Sequence, residues 1–172
     1  KTFDDEIHRT EHAVRHATVL DASAAMNNLA GTSGWCAFDY NTHRDFGSGD
    51  KICYHGVMDM FRNPKIAAYV YQSQEEPSVV GDVLFVNSSL DIGEYPAGAI
   101  GNVWVFTNAD SIKLYENGVF IKEYTKKDSP FINLPHGPIL IDDFIGNRLI
   151  DEDGFSESAS MDVKECLMIL RK

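Results

Sequence analysis

A short apolar run that turns abruptly polar limits most strongly what this chain can fold into. Residues 34–38 read Gly-Trp-Cys-Ala-Phe, a pattern that predicts a buried strand. Residues 39–43 read Asp-Tyr-Asn-Thr-His and follow it directly. An apolar strand with polar groups at its carboxyl end is typical of the mouth of a parallel (β/α)8 barrel, whose strands are buried on both faces. An ordinary strand followed by a polar loop would produce the same pattern, so both interpretations stay open.

The sequence on both sides of this run carries a resemblance. Residues 34–65 read GWCAFDYNTHRDFGSGDKICYHGVMDMFRNPK, which resembles the last barrel strand and following loop of the bacterial β-galactosidases in glycoside hydrolase family two. Residues 9–22, RTEHAVRHATVLDA, resemble the helix before that strand. Residues 63–74, NPKIAAYVYQSQ, resemble the helix that closes the barrel, and residues 102–124 resemble a strand-rich accessory domain.

The resemblance implies an α+β fragment made of three parts. Residues 1–76 would form the C-terminal segment of a (β/α)8 catalytic barrel, and residues 77–146 an immunoglobulin-like β-sandwich. Residues 147–172 would form a helical tail that leads into a further domain. Since the chain opens with Lys1 and not with Met, we expect it to be a piece of a longer polypeptide.

The implied activity is that of a retaining β-galactosidase acting on terminal β-galactosides. Such enzymes need two carboxyl groups about 5 Å apart, one as nucleophile and one as proton donor. In the family both are Glu, and both would lie upstream of Lys1, because no Glu in this chain matches either motif. We therefore expect no catalytic residue here and an inactive isolated fragment. The alternative is a non-catalytic carbohydrate-binding or subunit-docking sandwich module that uses Trp104 or Tyr115.

The resemblance implies that this chain contributes residues that bind the sugar, while the two catalytic Glu residues lie elsewhere. Phe38 stands where many relatives carry Trp against the apolar face of the sugar, and Asp39, Asn41 and His43 are hydrogen-bonding candidates after it. His55 aligns with a position that in some relatives is Asn beside sodium, an ion for which neutral imidazole is a poor ligand. These five residues are predicted to contact substrate. The alternative is that they hold the substrate-contacting residues in place without touching the substrate themselves. No metal ion or cofactor is predicted.

The net charge of the chain and the length of its apolar runs exclude some classes of binding partner. The formal net charge is −11 at pH 7, which disfavours nucleic acid and anionic membranes. No apolar run approaches membrane-spanning length and no signal segment opens the chain, so we expect a cytoplasmic location. A β-galactoside bound by the parent enzyme is the expected partner. Open barrel edges invite pairing, so residues 7–74 should either pack onto the following strands or form a homo-oligomer.

The cysteines argue against a disulfide framework. Cys36, Cys53 and Cys166 are odd in number and widely spaced, and they form no CxxC zinc motif. A thiol nucleophile with His43 or His55 as its base is an alternative. Burial in an apolar strand disfavours it, because burial raises the pKa of a thiol.

The opening segment, residues 4–27, predicts a helix. Its first turn is acidic, as the positive end of the helix dipole favours, and Glu11 and Arg15 are placed for an ion pair. The inward stripe at helical spacing consists of Val14, Ala17, Leu20 and Ala24.

Three histidines share one face of that helix, since His8, His12 and His16 lie four residues apart. Two histidines at this spacing can hold a transition metal. The HExxH arrangement is absent because Glu11 precedes His12. The pattern therefore favours a polar helix face, with one histidine anchored to a neighbour, over a metal site.

The rest of the chain reads as helix, strands and helix. Asn63-Pro64 should start a second helix whose buried face carries Ile66, Ala67, Val70 and Tyr71. A hairpin is expected around Asn117-Gly118. A tail helix is predicted from 156 to 172, with an apolar stripe of Ala159, Val163, Leu167 and Leu170. The predicted strands are 83–86, 102–106, 111–115, 119–124, 131–132 and 139–141.

Overall fold

Helices and short strands make up the computed structural model, which describes residues 4–43, 49, 51–91, 93 and 100–170. This mixture of helices and strands is compatible with the predicted α+β class. In chain order the elements are α1 Glu6–Ala24, β1 Tyr40–Asn41, β2 Ile52–Cys53, α2 Ile66–Gln72, α3 Pro77–Val80, β3 Leu84–Val86, β4 Trp104–Thr107, β5 Ser111–Glu116, β6 Val119–Thr125, a 3-10 turn Lys126–Asp128, β7 Ile139–Leu140, α4 Arg148–Asp151 and α5 Glu157–Leu170.

Helix α1 begins where the acidic pattern predicted. The Asp5 carboxylate caps it by accepting a hydrogen bond of 2.8 Å from the His8 backbone N–H. The expected Glu11–Arg15 ion pair forms at 3.3 Å. Ala13 and Ala17 are fully buried, and these small side chains allow α1 to approach its neighbours closely. The helix ends at Ala24, three residues earlier than predicted, and Ala24 itself is exposed.

A shared apolar cluster joins α1 and α2 to strand β4. Small residues of α1 and the predicted face of α2 meet Trp104 and Phe106 there. This packing is the first of the two outcomes expected for residues 7–74. The buried members of the cluster are Ala13, Ala17, Ile66, Ala67, Val70, Trp104, Phe106, Phe131 and Leu134.

Strand β4 is the centre of an antiparallel sheet ordered β3-β4-β7. Phe85 of β3 lies opposite Phe106, and Ile139 of β7 lies opposite Val105. Because side chains alternate along a strand, Trp104 and Phe106 join the helix cluster while Val105 joins a second one. That second cluster consists of Val103, Val105, Tyr124, Ile139 and Ile141.

Strands β5 and β6 form the predicted hairpin. Asn117 and Gly118 have φ values of 50° and 81°, the left-handed pair that a tight hairpin turn needs. Beyond it, the predicted strand at 131–132 is wrong: Phe131 is buried in the core, Ile132 is 72% exposed, and both lie in a loop.

The tail forms α5, but the residues that it buries are not those of the predicted apolar stripe. Ser160 is buried, and Lys164 donates to the Asp143 carboxylate at 2.8 Å. Leu167 and Leu170 are 41% and 75% exposed, so their part of the stripe is wrong. The predicted helix residues 171 and 172 lie outside the described part of the chain. None of the helices in the described ranges is both long and apolar enough to cross a membrane.

Candidate functional site

The apolar run and its polar continuation form one edge of the molecule, which we call the rim (residues 34–43 and 51–62). Residues 36–39 run alongside residues 55–58: the Met58 N–H donates to the Ala37 carbonyl at 2.9 Å, and the Asp39 N–H donates to the Met58 carbonyl at 3.0 Å. The bridge between Phe38 and Met58 is parallel. Strands β1 and β2 then continue the rim as an antiparallel pair.

The prediction of a buried strand at 34–38 is wrong. Among residues 34–38, only Phe38 takes part in a bridge. Trp35 is 73% exposed and Phe38 is 41% exposed. The apolar character of the run therefore lies at the surface of the described structure.

A buried ion pair lies beneath the rim. Asp39 and Lys65 are only 5% and 3% exposed. The Lys65 ammonium donates to both carboxylate oxygens of Asp39, at 2.8 and 2.9 Å. Asp39 also accepts a hydrogen bond of 2.8 Å from the Gly56 N–H. Two charges removed from water are stable only when paired and hydrogen-bonded in this way.

The network extends to the start of α1. The Lys65 ammonium is 3.7 Å from Asp4, whose carboxylate accepts two hydrogen bonds from Arg9, at 3.0 and 2.6 Å. The hydrogen bond to Asp4 raises the pKa of Arg9, although burial on its own would lower it. Asp39 also contributes to that rise through its charge. Alternating charges thus hold the first turn of α1, the start of α2 and the rim together.

Gly56 has no room for a side chain. A Cβ built on it would lie 2.2 Å from the Asp39 nitrogen and 2.3 Å from the Met58 oxygen and the Phe38 carbonyl carbon. Those neighbours are backbone atoms, which cannot turn away as a side chain can. The two halves of the rim can approach each other only because residue 56 is glycine.

Aromatic side chains cover the outer face of the rim. Trp35 and Tyr40 meet edge to face with ring centroids 6.5 Å apart. The Arg62 guanidinium lies 5.7 Å from the centroid of the Phe38 ring. Phe61 is 85% exposed. Exposed aromatic faces of this kind can pack against the apolar face of a ligand that also carries hydroxyl groups.

All five residues predicted to contact substrate lie in the rim, but in different surroundings. Phe38, Asn41 and His43 are exposed, and His55 is half-buried. The backbone brings His55 beside the apolar run, since its carbonyl accepts from the Cys36 N–H at 3.3 Å. The Asp39 carboxylate instead points into the buried ion pair. Contact with substrate stays a prediction for all five.

Sequence reasoning missed Lys65 and Trp35 as parts of this region. The sequence pattern gives Lys65 no role beyond its place at the end of the stretch that carries the resemblance. The available signal was a single cation at the start of an apolar helix, where a charge either reaches solvent or meets a buried partner. Trp35 was assigned to a buried strand, which removed it from the candidate ligand-facing residues.

The Cys36 thiol of the rim is a poor nucleophile. Burial raises the pKa of Cys36, with the neighbouring Cys53 and Asp39 adding to the rise. The Cys36 Sγ also lies 3.1 Å from the Phe38 carbonyl. The raised pKa keeps Cys36 in its protonated, weakly nucleophilic form at neutral pH.

The histidine row on α1 makes two kinds of contact. His8 lies 2.7 Å from the Asp5 carboxylate, whereas His16 Nδ1 lies 2.7 Å from the Tyr71 hydroxyl. Tyr71 is thus the neighbour that anchors one histidine, as predicted. Among the described residues, no group of three or more His, Cys, Asp or Glu side chains is placed to hold a metal ion.

Sequence similarity to known proteins shows which class of protein the chain resembles. No protein-family model matches the chain. Three curated relatives do, and all are glycoside hydrolases by name.

Each of these relatives is named β-galactosidase. The chain is 46% identical over 143 residues to the protein of Thermoanaerobacterium thermosulfurigenes, covering 83% of this chain and 20% of that protein. It is 44% identical over 138 residues to that of Thermoanaerobacter pseudethanolicus, covering 80% and 18%. It is 36% identical over 146 residues to that of Rhizobium meliloti, covering 83% and 19%. The chain spans about a fifth of the length of these relatives, and the predicted resemblance to bacterial β-galactosidases is confirmed.

Proposed function

We propose that this chain is part of a retaining family-two β-galactosidase that hydrolyses terminal β-galactosides. The observation that carries the proposal is the similarity of more than four-fifths of the chain to a segment of a β-galactosidase, at 46% identity. In this proposal the nucleophile and the acid/base, both Glu, belong to the parent protein upstream of Lys1. The isolated chain is then inactive, because it supplies neither carboxyl group.

The proposed organisation follows the three predicted parts. Residues 1–76 form the C-terminal segment of the catalytic barrel, and the similarity of most of the chain to a segment of a β-galactosidase supports this. Residues 77–146 form the immunoglobulin-like sandwich, supported by the antiparallel pairing of β3, β4 and β7 and of β5 with β6. Residues 147–172 lead into a further domain.

Within the proposed active site the rim supplies one wall. Phe38 packs against the apolar face of the galactose ring, and Asn41, His43 and His55 provide hydrogen-bonding groups to its hydroxyls. Asp39 positions the rim without touching the sugar, because its carboxylate accepts hydrogen bonds from Lys65 and the Gly56 N–H. A cytoplasmic location and homo-oligomer formation through exposed edges remain predictions.

A segment exchange tests the proposed function. The matching 143 residues of the Thermoanaerobacterium thermosulfurigenes β-galactosidase are replaced by the corresponding part of this chain. We expect the exchanged protein to hydrolyse a chromogenic β-galactoside, and the purified isolated chain to show no turnover. Phe38→Ala in the exchanged protein should lower kcat/KM by about tenfold, equivalent to about 1.4 kcal/mol.

The matched control is Tyr115→Ala, because Tyr115 is also an exposed aromatic residue but lies on strand β5, outside the rim. Its kcat/KM should stay within about twofold of the unsubstituted exchange. A folded but inactive exchanged protein would contradict the proposed function. Turnover by the isolated chain, with contaminating enzyme excluded, would contradict the placement of both Glu residues outside it.

A non-catalytic binding or docking role for the β-rich part is the second candidate. Trp104 does not suit it, since it is only 8% exposed and belongs to the core. One observation favours it: Tyr115 and Phe120 are 54% and 51% exposed and meet edge to face, with ring centroids 5.6 Å apart. Galactoside binding by the isolated chain that is lost in Tyr115→Ala but kept in Phe38→Ala would favour this role.

A further inference from the structure

Two imidazole nitrogens of α1 face each other across one helical turn. His12 Nε2 and His16 Nε2 are 3.0 Å apart, and the two rings meet edge to face at 78° with centroids 4.5 Å apart. Both rings are half-buried. Histidines spaced by four residues on a helix are a recurrent pair of metal ligands.

The other nitrogen of His16 is already positioned by a neighbouring helix. Its Nδ1 lies 2.7 Å from the Tyr71 hydroxyl on α2. When Nδ1 donates its hydrogen to the Tyr71 oxygen, the lone pair of the ring lies on Nε2, the atom that faces His12. Orientation of a ligand by a partner at its second nitrogen is the usual arrangement for metal-binding histidines.

The distance between the two nitrogens selects the type of metal. With metal–nitrogen bonds of about 2.1 Å, two nitrogens 3.0 Å apart subtend an angle of about 90° at the metal. A right angle suits neighbouring positions in octahedral or square-planar coordination, which Ni²⁺ and Cu²⁺ adopt, better than the tetrahedral coordination of zinc. We propose that His12 and His16 form a two-nitrogen site for Ni²⁺ or Cu²⁺, with water at the remaining positions.

This site is independent of the proposed glycosidase function. It involves neither a residue predicted to contact substrate nor a member of the network around Asp39. The formal net charge of −11 favours any added cation. The competing explanation of the 3.0 Å distance is a single proton shared between the two rings.

The experiment measures Ni²⁺ binding to the whole chain at about pH 7.5 by isothermal titration calorimetry, a pH at which neutral imidazole predominates. Ni²⁺ alone is the probe, because Cu²⁺ can oxidise the free thiols of Cys36, Cys53 and Cys166. We expect one Ni²⁺ per chain. His12→Gln and His16→Gln should each weaken the affinity at least roughly tenfold, because each removes one of two protein ligands.

The matched control is His8→Gln, on the same helix but with its ring against Asp5. Its affinity should stay within about twofold of that of the unsubstituted chain. A second measurement decides the matter if a Gln variant does not fold: paramagnetic broadening by Ni²⁺ should appear first on the ring resonances of His12 and His16. Unchanged affinity in both Gln variants, an equal loss in His8→Gln, or broadening centred on other histidines would overturn the site.

Discussion

The rim and strand β4 are both rich in aromatic and apolar residues, yet different interactions hold them in place. Trp104, Val105 and Phe106 of β4 lie between two apolar clusters and are at most 8% exposed. The rim exposes Trp35 and Phe38 and depends on charges and backbone hydrogen bonds beneath them.

This difference shows that apolar composition alone does not reveal what holds a segment in place. Burial of apolar area is non-directional and stabilises β4 whichever side chains supply the area. The Asp39–Lys65 pair stabilises the rim only while both partners and the Gly56 N–H keep their geometry. We therefore expect the loss of a charge beneath the rim to destabilise the protein nearly as much as the loss of a ring from the core.

The largest effect is expected in the core. Phe106→Ala removes a fully buried ring and should lower the free energy of unfolding by about 4 kcal/mol, through lost burial and the cavity left behind. Urea denaturation followed by circular dichroism measures it. The control is Phe61→Ala in the rim, where the ring is 85% exposed and the change should stay below about 0.5 kcal/mol. Similar losses in both variants would remove the contrast between the regions.

A slightly smaller effect is expected from the ion pair. Lys65→Met leaves the Asp39 carboxylate buried without its cation and should lower the free energy of unfolding by about 3 kcal/mol. The double variant Asp39→Asn with Lys65→Met removes both charges and should recover more than half of that loss. Urea denaturation of the three proteins forms the comparison. A loss below about 1 kcal/mol in Lys65→Met would mean that charge does not hold the rim.

The smallest effect tests charge outside the rim, at Asp143. Burial on its own would raise the pKa of Asp143, but hydrogen bonds from Lys164 and from the Ile145 and Gly146 N–H groups outweigh it and lower that pKa. The stabilisation is therefore present above the ordinary Asp pKa of about 4 and is lost as the pH falls through the lower folded value. Asp143→Asn should lower the free energy of unfolding by about 1 kcal/mol at neutral pH.

Unfolding curves of the unsubstituted chain and Asp143→Asn across the acid range check this prediction. The gap between the two proteins should close as the pH falls below the ordinary Asp pKa of about 4. A gap that stays constant with pH would assign the loss to packing and not to the charged form of Asp143.

Local signals explain which elements could be predicted from the sequence. The hairpin at β5 and β6 follows from Asn117-Gly118, because the turn conformation depends on those two residues alone. The start of α1 follows from Asp5, whose side chain caps the helix within its own first turn. Both predictions succeeded because cause and effect lie within a few residues of each other.

The features that escaped prediction depend on residues far apart in the chain. An apolar run at 34–38 indicates a preference for burial but does not say what covers it. The partner of Asp39 is Lys65, 26 residues away, and no local pattern joins them. Phe131 is buried because it packs against residues of α1, α2 and β4. A buried side chain does not require its residue to lie in a strand, so the apolar pattern at 131–132 predicted the burial of Phe131 but not its loop conformation. The five candidate substrate residues came from the resemblance, and local chemistry could not have selected them.

The crowding around Gly56 sets a limit for anyone who redesigns this part of the molecule. Codons for Trp35, Phe38 and Tyr40 can be randomised in a library, because these side chains reach solvent. The codon for residue 56 offers no usable alternative, since even a methyl group would overlap three backbone atoms. Any redesign of this surface must therefore change the side chains that flank this glycine and retain the glycine itself in every clone.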